Sequence, residues 1–240
     1  MKAMILAAGL GTRMRPLTDH TPKPLLKAAD KPLLQYHIDG LAAAGINNLI
    51  INTSWKGDQI SDYIESLSTP DRSIEVVHEE TPLETAGGII NVLPLLTNEG
   101  DAFFIVVNGD VWTDFDFSKL ADIAATLSPS TLAHLVLVDN PPQHPEGDFF
   151  LLPDGHISST TSNSSTASSN EKLTFSGISL LSAKLFDGCT PGKRPLAPLL
   201  RAAMHNQQVS GHKATCTWMD IGTPERLEQL NQHLLAATAT

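Results

Sequence analysis

The chain has 240 residues, 41% of them hydrophobic, which is enough for one α/β domain with a sizeable core. A formal net charge of −10 at pH 7 argues against general nucleic-acid binding, because a phosphate polymer would be repelled. Charged residues interrupt the apolar runs well before a membrane span, and the first apolar run is too short for a signal peptide, so we expect no membrane partner.

Strand-like apolar runs alternate along the chain with apolar stripes at helical spacing. This alternation predicts a single three-layer α/β/α domain with a Rossmann-like, mostly parallel sheet covered by helices on both faces. Gly45 suits the end of the first helix. The predicted strands span 4–8, 48–52, 74–78, 103–107, 134–138, 149–152 and 173–181. The helical stripes are Leu34, Ile38 and Leu41; Ile60, Ile64 and Leu67; and Ile89, Leu93 and Leu96.

The pattern becomes looser after Asp139, with shorter strands and longer loops. Runs 149–152 and 173–181 predict a strand pair on one side of a cleft. Residues 158–170 are mostly Ser, Thr and Asn, with almost nothing to bury, which predicts a mobile loop.

A glycine-rich, cationic segment follows the first predicted strand directly. Gly9 and Gly11 let backbone N–H groups approach an anion closely, and Arg13, Arg15 and Lys23 add cationic donors. No Gly-Lys-Ser/Thr follows, so the segment is not a P-loop, and the third glycine of a dinucleotide fingerprint is missing. A strand that ends in such a loop predicts phosphate binding at the carboxyl edge of the sheet.

Two aspartates far apart in sequence each end a strand-like run. Asp110 ends the run 103–110, and Asp220 ends the run 217–220, just before Thr223 and Pro224, which suit the start of a helix. Mg²⁺ takes few protein carboxylates and completes its shell with phosphate oxygens and water. The pair therefore predicts a magnesium site, the alternative being that each aspartate is only a turn or cap residue.

These segments resemble the signature of the sugar-phosphate nucleotidyltransferases, which join a nucleoside triphosphate to a sugar 1-phosphate and release pyrophosphate. The resemblance extends from Met1 to about Leu230. It implies that Arg13 and Lys23 are catalytic and neutralise the triphosphate, and that Asp110 and Asp220 hold Mg²⁺. The glycine-rich loop would wrap the triphosphate through Ala8, Gly9, Gly11 and Thr12. We expect Lys23 to have little to pack against in its Pro-Lys-Pro turn.

The segment 79–88 is the predicted nucleobase site. Thr85 is expected to cap a helix, and the small residues up to Gly88 would let a base lie against the backbone. Glu79 aligns with the family position that contacts the base. A carboxylate only accepts hydrogen bonds, so it suits uracil or guanine and disfavours cytosine. The alternative is that Glu79 and Glu80 form a solvated strand end.

Family elements on the sugar side implicate Asn108, Asp139, Gly147, Ser176 and Gly177 in substrate binding. A Glu-Lys-Pro element that supplies a sugar-phosphate lysine in many relatives is missing. Lys172 is too close to the strand that follows to be equated with that lysine, which leaves Lys193 or Arg194 as candidate replacements.

Within the family, the chain most resembles the uridylyltransferases that act on N-acetylmuramate 1-phosphate in bacterial cell-wall recycling. Glu84, where most relatives have Gly, belongs to that subgroup's pattern. On this reading residues 1–139 form mainly the nucleotide half of the domain and residues 140–240 mainly the sugar half. Two alternatives stay open: a uridylyl- or guanylyltransferase for mannose or glucose 1-phosphate, and a non-catalytic subunit that binds a sugar nucleotide.

The expected partners are UTP and a sugar 1-phosphate, and the sequence leaves the oligomeric state open. Cys189 and Cys216 form neither a CxxC pair nor a disulfide framework, which favours a reduced, cytoplasmic location.

Overall fold

The computed structural model describes residues 1–67, 69–97, 101–160 and 171–238. Within these ranges, no helix is both long and apolar enough to cross a membrane. The described residues form thirteen β-strands and six α-helices: β1 Ala3–Leu6, β2 Lys27–Ala28, β3 Lys31–Pro32, α1 Leu33–Ala43, β4 Asn48–Thr53, α2 Gly57–Ser66, β5 Ser73–His78, α3 Glu84–Leu96, β6 Phe104–Asn108, β7 Val111–Thr113, α4 Lys119–Thr126, β8 Ala133–Val138, β9 Phe149–Leu151, β10 Ile157–Ser158, β11 Glu171–Leu181, α5 Ala197–His205, β12 Val209–Lys213, β13 Trp218–Asp220 and α6 Pro224–Thr238.

Nine of the described strands form one mixed sheet. Its main order is β10-β9-β11-β6-β1-β4-β5, with β8 also beside β11 and β12 beside β8. Strands β6, β1, β4 and β5 are parallel, and Met4 of β1 lies opposite Ile50 and Val106. β11 runs antiparallel to β6, β8 and β9, so it links the parallel part to the remaining strands. The mostly parallel sheet predicted from the sequence is confirmed.

Alternating side chains of the central strands face two helical layers, as the two-residue period of a strand requires. Met4 packs into a core with residues of α3 and α5, including Ile89 and Leu200. Ile5 faces the opposite way, into a core with residues of α1, α2 and α4, including Ile38. This arrangement confirms the three-layer α/β/α prediction, and Gly45, with φ of 76°, follows the end of α1 as predicted.

A two-stranded ribbon beside the main sheet brings the two carboxylate segments together. β7 and β13 pair antiparallel, with Asp220 opposite Val111. Ile221 N–H donates to Asp110 O at 2.9 Å, so the backbones adjoin although more than a hundred residues separate them. Trp112 of the ribbon packs in a third core with Leu230 of α6.

Of three further details, one confirms the sequence prediction, and two differ from it or fall partly outside the described residues. β1 ends at Leu6 rather than at residue 8, because Ala7 N–H donates to the Asn52 side-chain oxygen at 2.9 Å instead of continuing the sheet. The predicted pair 149–152 and 173–181 is confirmed as β9 and β11. Ser158, predicted to begin a mobile loop, lies in β10, and residues 161–170 of that loop fall outside the described residues.

Candidate active site

A cavity of about 510 Å³ lies where β1, β4, β5 and β6 end, at the carboxyl edge of the parallel strands. This is the edge at which α/β sheets bind ligands. The cavity brings together most of the residues predicted for the nucleotide and its phosphates. From that prediction, Ala8, Gly9, Gly11, Thr12, Arg13, Lys23, Glu79 and Thr85 contribute to its lining, together with Asp110, predicted for the metal, and Asn108, predicted for the sugar side.

The loop after β1 is held tightly around Gly11. This residue has φ of 62°, and a Cβ there would lie 2.9 Å from Thr18 Cγ2 and 3.3 Å from Lys23 Cβ. Thr18 Oγ1 donates to Gly11 O at 2.8 Å, and the Trp55 indole N–H donates to Thr18 O at 3.1 Å. Gly11 therefore meets both a conformational and a steric requirement for glycine.

Lys23 is buried, contrary to the expectation that it has little to pack against. Only 8% of the residue is exposed, because the loop closes over it from the Gly11 side. Its Nζ lies 3.1 Å from Asp110 Oδ2, and Asp110 remains 44% exposed at the cavity. The loop after β1 thus brings a cation directly to Asp110, the first of the two carboxylates predicted to hold the metal.

Asp220 lies on the strand that adjoins the Asp110 segment and forms an ion pair with Arg226 of α6. Gly222 lines the cavity beside this pair, and a Cβ there would lie 3.1 Å from Asp220 Oδ1. No cluster of three or more His, Cys, Asp or Glu ligands occurs in the described part of the chain. Two carboxylates beside an open cavity nevertheless fit Mg²⁺, which draws its other ligands from phosphate and water.

Glu79 belongs to a buried hydrogen-bond network at the cavity wall. It is 3% exposed, so the alternative of a solvated strand end is wrong for this residue. Asn52 Nδ2 donates to Glu79 Oε1 at 2.7 Å, and Leu83 N–H donates to Oε2 at 2.9 Å. Because the Asn52 side-chain oxygen accepts from Ala7 N–H, the network ties together the ends of β1, β4 and β5 and the approach to α3.

The helix near the predicted base site begins differently from the prediction. α3 starts at Glu84 with Leu83 at its N-cap and no capping side chain, so the Thr85 cap is wrong, although Thr85 lines the cavity. Gly88 lies behind the wall, where a Cβ would come within 2.7 Å of Glu79 Oε1. Its missing side chain therefore makes room for the Glu79 network rather than for a ligand.

Glu84 has φ of 61°, a conformation that is costly for a residue with a Cβ. Its carboxylate lies 3.5 Å from Lys193 Nζ, and both residues line the cavity. Arg194 is held by its backbone, which donates to Leu83 O and accepts from Gly87 N–H. Of the two candidate replacements for the sugar-phosphate lysine, Lys193 is the one that contributes to the cavity lining.

The other residues predicted for the sugar, Asp139, Gly147, Ser176 and Gly177, are not part of this cavity's lining. Ser176 is buried and donates to Val136 O at 2.7 Å, while Asp139 is ion-paired with Lys213. Gly177, with φ of 81°, packs against Asn108, which does line the cavity. Their roles as direct substrate ligands stay predictions.

His37 of α1 contacts the two-stranded ribbon of β7 and β13 through Val111. Its imidazole is buried, and Nε2 lies 2.8 Å from Val111 O, so Nε2 carries the proton and donates to the carbonyl. Burial lowers the pKa of His37 to about 4, with the Val111 hydrogen bond and Asp110 opposing the shift. The neutral ring therefore fixes the strand that follows Asp110.

Sequence reasoning missed Asn52, Trp55, His37 and Arg226. Asn52 ends an apolar run and His37 and Arg226 occur within helices, so only the spatial neighbours reveal what they do. Trp55 is also identified only by the structure, in which it is 41% exposed and its indole N–H donates to Thr18 O.

A family model described as "Nucleotidyl transferase" matches residues 2–147. The chain is 46% identical over 233 residues to the N-acetylmuramate alpha-1-phosphate uridylyltransferase of Neisseria meningitidis serogroup B, covering 95% of this chain and 96% of that protein. It is 28% identical over 230 residues to the protein of the same name from Caulobacter vibrioides, covering 93% and 92%. The crystal structure of HddC from Yersinia pseudotuberculosis has the same fold, with a TM-score of 0.75, 23% identity, and coverage of 97% of this chain and 99% of that chain.

Proposed function

The chain belongs to the nucleotidyl transferase family and is a nucleotidyltransferase, and we propose that it transfers UMP from UTP to N-acetylmuramate 1-phosphate. The products would be UDP-N-acetylmuramate and pyrophosphate, a reaction suited to cell-wall recycling. The proposal draws its substrates from the names of the relatives from Neisseria meningitidis and Caulobacter vibrioides, which align over nearly the whole chain. The proposed location is cytoplasmic, which agrees with free cysteines at positions 189 and 216.

One observation carries the chemistry: Lys23 and Asp110 form an ion pair at the lining of a cavity that the glycine-rich loop also lines. A triphosphate bound there would place its negatively charged phosphates next to the buried ammonium group of Lys23. Arg13 also lines the cavity and is exposed, so it can fold onto the same phosphates. Together they would stabilise the negative charge that develops on the α-phosphate and on leaving pyrophosphate.

The sugar phosphate would attack the α-phosphorus in line with the departing pyrophosphate. A phosphate monoester is already an anion, so no strong general base is required, and the protein contributes mainly positioning and charge neutralisation. Asp110 and Asp220 are the residues that would hold Mg²⁺. When bound, that ion supplies Lewis-acid polarisation of the phosphoryl oxygens and a template for their orientation.

Glu79 supports UTP over CTP as the nucleotide, and a carboxylate would suit guanine as well as uracil. Its carboxylate lines the cavity and accepts from Asn52 and Leu83, and a carboxylate oxygen can accept a second hydrogen bond. The Glu79 carboxylate could accept this second hydrogen bond from the N3–H of uracil. Cytosine offers an acceptor at the same position and would be repelled.

A pyrophosphate-release assay over four nucleoside triphosphates and several sugar 1-phosphates with Mg²⁺ tests the proposal. We expect the highest kcat/KM for UTP with N-acetylmuramate 1-phosphate. A preference for GTP with mannose 1-phosphate, or for UTP with glucose 1-phosphate, would support the corresponding alternative substrate instead. Turnover that needs no divalent cation would remove the role given to Asp110 and Asp220.

A further inference from the structure

Arg226 occupies an unusual electrostatic position. It is the third residue of α6, whose N-terminal end carries partial positive charge and therefore disfavours a cation. Its guanidinium forms an ion pair with Asp220 Oδ2 and also lies 3.4 Å from Asp220 O. The side chains of Arg226 and Asp220 are only 23% and 27% exposed, so solvent screens their interaction only in part.

The ion pair lies next to a residue that lines the cavity. Gly222 lines the cavity, and a Cβ at that position would lie 3.1 Å from Arg226 Nη1 and 3.1 Å from Asp220 Oδ1. Glycine therefore leaves the pair uncovered on this side. A ligand that extends from the cavity past Gly222 would therefore meet both the carboxylate and the guanidinium.

The geometry points to Arg226 as a placeholder cation that occupies Asp220 until a divalent metal and the triphosphate arrive together. The inference rests on the proposed function, because it assumes that Asp220 is a metal ligand. Arg226 is thus a positioning residue that sets when the metal binds.

Charge balance explains why metal and nucleotide binding would be coupled. Asp110 faces Lys23 and Asp220 faces Arg226, so each carboxylate already has one cationic partner. A divalent ion alone would have to displace the guanidinium from Asp220 and leave the site with excess positive charge. A triphosphate removes that excess, and the released guanidinium, next to Gly222, can donate to its oxygens.

The test measures Mn²⁺ binding, as a paramagnetic substitute for Mg²⁺, by water-proton relaxation enhancement, which responds to ion on the slowly tumbling protein. The parent, Arg226→Met and Arg226→Gln are each titrated with Mn²⁺ in the presence and in the absence of UTP. Sugar phosphate is left out of all titrations. Arg201→Met, at an exposed position in α5, is the control that removes the same charge elsewhere. Circular dichroism melts establish that each variant is folded, and two neutral replacements guard against one of them failing to fold.

We expect Arg226→Met and Arg226→Gln to bind Mn²⁺ without nucleotide about tenfold or more tightly than the parent. We also expect UTP to strengthen Mn²⁺ binding less in these variants than in the parent and in Arg201→Met. Unchanged Mn²⁺ affinity in both Arg226 variants, with normal Mn²⁺ binding by the parent in the presence of UTP, would overturn the inference and leave the proposed function intact. Absence of protein-bound Mn²⁺ in the parent even with UTP would overturn the metal site itself.

Discussion

Lys23 Nζ lies 3.1 Å from Asp110 Oδ2, although the two residues are 87 positions apart in sequence. The lysine is buried by its own loop, whereas the aspartate remains accessible from the cavity. The pair holds the loop after β1 against the segment that follows β6. It also places opposite charges where a metal-bound triphosphate would need both an anionic ligand and a cationic donor.

Lys23→Met should lower kcat for pyrophosphate release by roughly 10²–10³-fold, the range seen when one preorganised donor to a transition state is removed. Methionine retains much of the buried chain volume, and the accessible Asp110 carboxylate can be hydrated, so the thermal melt should change little. Lys23→Arg should not fully restore the rate, because guanidinium is wider and planar and the loop around Lys23 is closed. A rate within tenfold of the parent for Lys23→Met would assign the lysine to loop packing alone.

Asp110→Ala and Asp220→Ala should each abolish measurable turnover while leaving the fold intact. Losing one of two carboxylate ligands should remove several kcal/mol of transition-state stabilisation. Steady-state rates at saturating Mg²⁺, with circular dichroism spectra of both proteins, provide the comparison. Asp62→Ala, at an exposed position in α2 outside the cavity lining, is the matched control. If both test variants kept a tenth of the parent rate, the metal role would be wrong.

Glu79→Ala should both weaken UTP binding and destabilise the protein. The change leaves Asn52 Nδ2 and the Leu83 N–H without their acceptor, and an unsatisfied buried donor costs about 1–3 kcal/mol. We expect KM for UTP to rise more than kcat falls. Urea unfolding and UTP saturation curves measure the two effects, with Glu80→Ala at the exposed neighbour as the control. Equal use of CTP and UTP by the parent would show that the base is recognised by other groups.

Stability should fall as the pH drops from about 6.5 toward 4. Burial lowers the pKa of His37 to about 4, below the value of about 6.5 in an unfolded chain. Between these values the unfolded state binds a proton that the folded state does not, so acid favours unfolding, by roughly 2 kcal/mol for one such histidine between pH 7.5 and 5. Burial lowers the pKa of His134 to about 4 as well, and the charge of His212 lowers it further. His134 therefore adds to the stability that the parent protein loses in acid.

His37→Gln isolates one part of this pH dependence, because a glutamine amide can still donate to Val111 O but does not titrate. Urea unfolding at pH 7.5 and pH 5 should show a smaller difference for His37→Gln than for the parent. His20→Gln, at an exposed position, should behave like the parent. Identical pH dependence in the parent and His37→Gln would contradict a neutral, buried His37.

The sequence predicted the sheet, the helical layers and the cavity edge because these depend on local patterns. Two-residue alternation and helical stripes identify the elements, and parallel strands bring their carboxyl ends to one edge. Gly11 and Asp110 could be placed at the site for that reason. The binding role proposed for Glu79 came from the family resemblance instead, and its burial could not be predicted from the sequence.

The remaining features depend on contacts between segments that no local pattern connects. The Ala7–Asn52–Glu79 network requires three strands to end side by side, and the Asp220–Arg226 pair requires the first turn of α6 to face β13. The left-handed conformation of Glu84 could not be predicted from its residue type, because glycine is the residue that usually indicates a positive φ.

The most direct test follows the α-phosphorus of UTP. The protein is incubated with [α-³²P]UTP, N-acetylmuramate 1-phosphate and Mg²⁺, with Asp110→Asn in parallel, and the labelled products are separated. We predict that the label moves from UTP into UDP-N-acetylmuramate in the parent only, with one unlabelled pyrophosphate released per product formed. Label that stays in UTP, or appears as UMP without a sugar nucleotide, would contradict attack by the sugar phosphate on the α-phosphorus in this cavity.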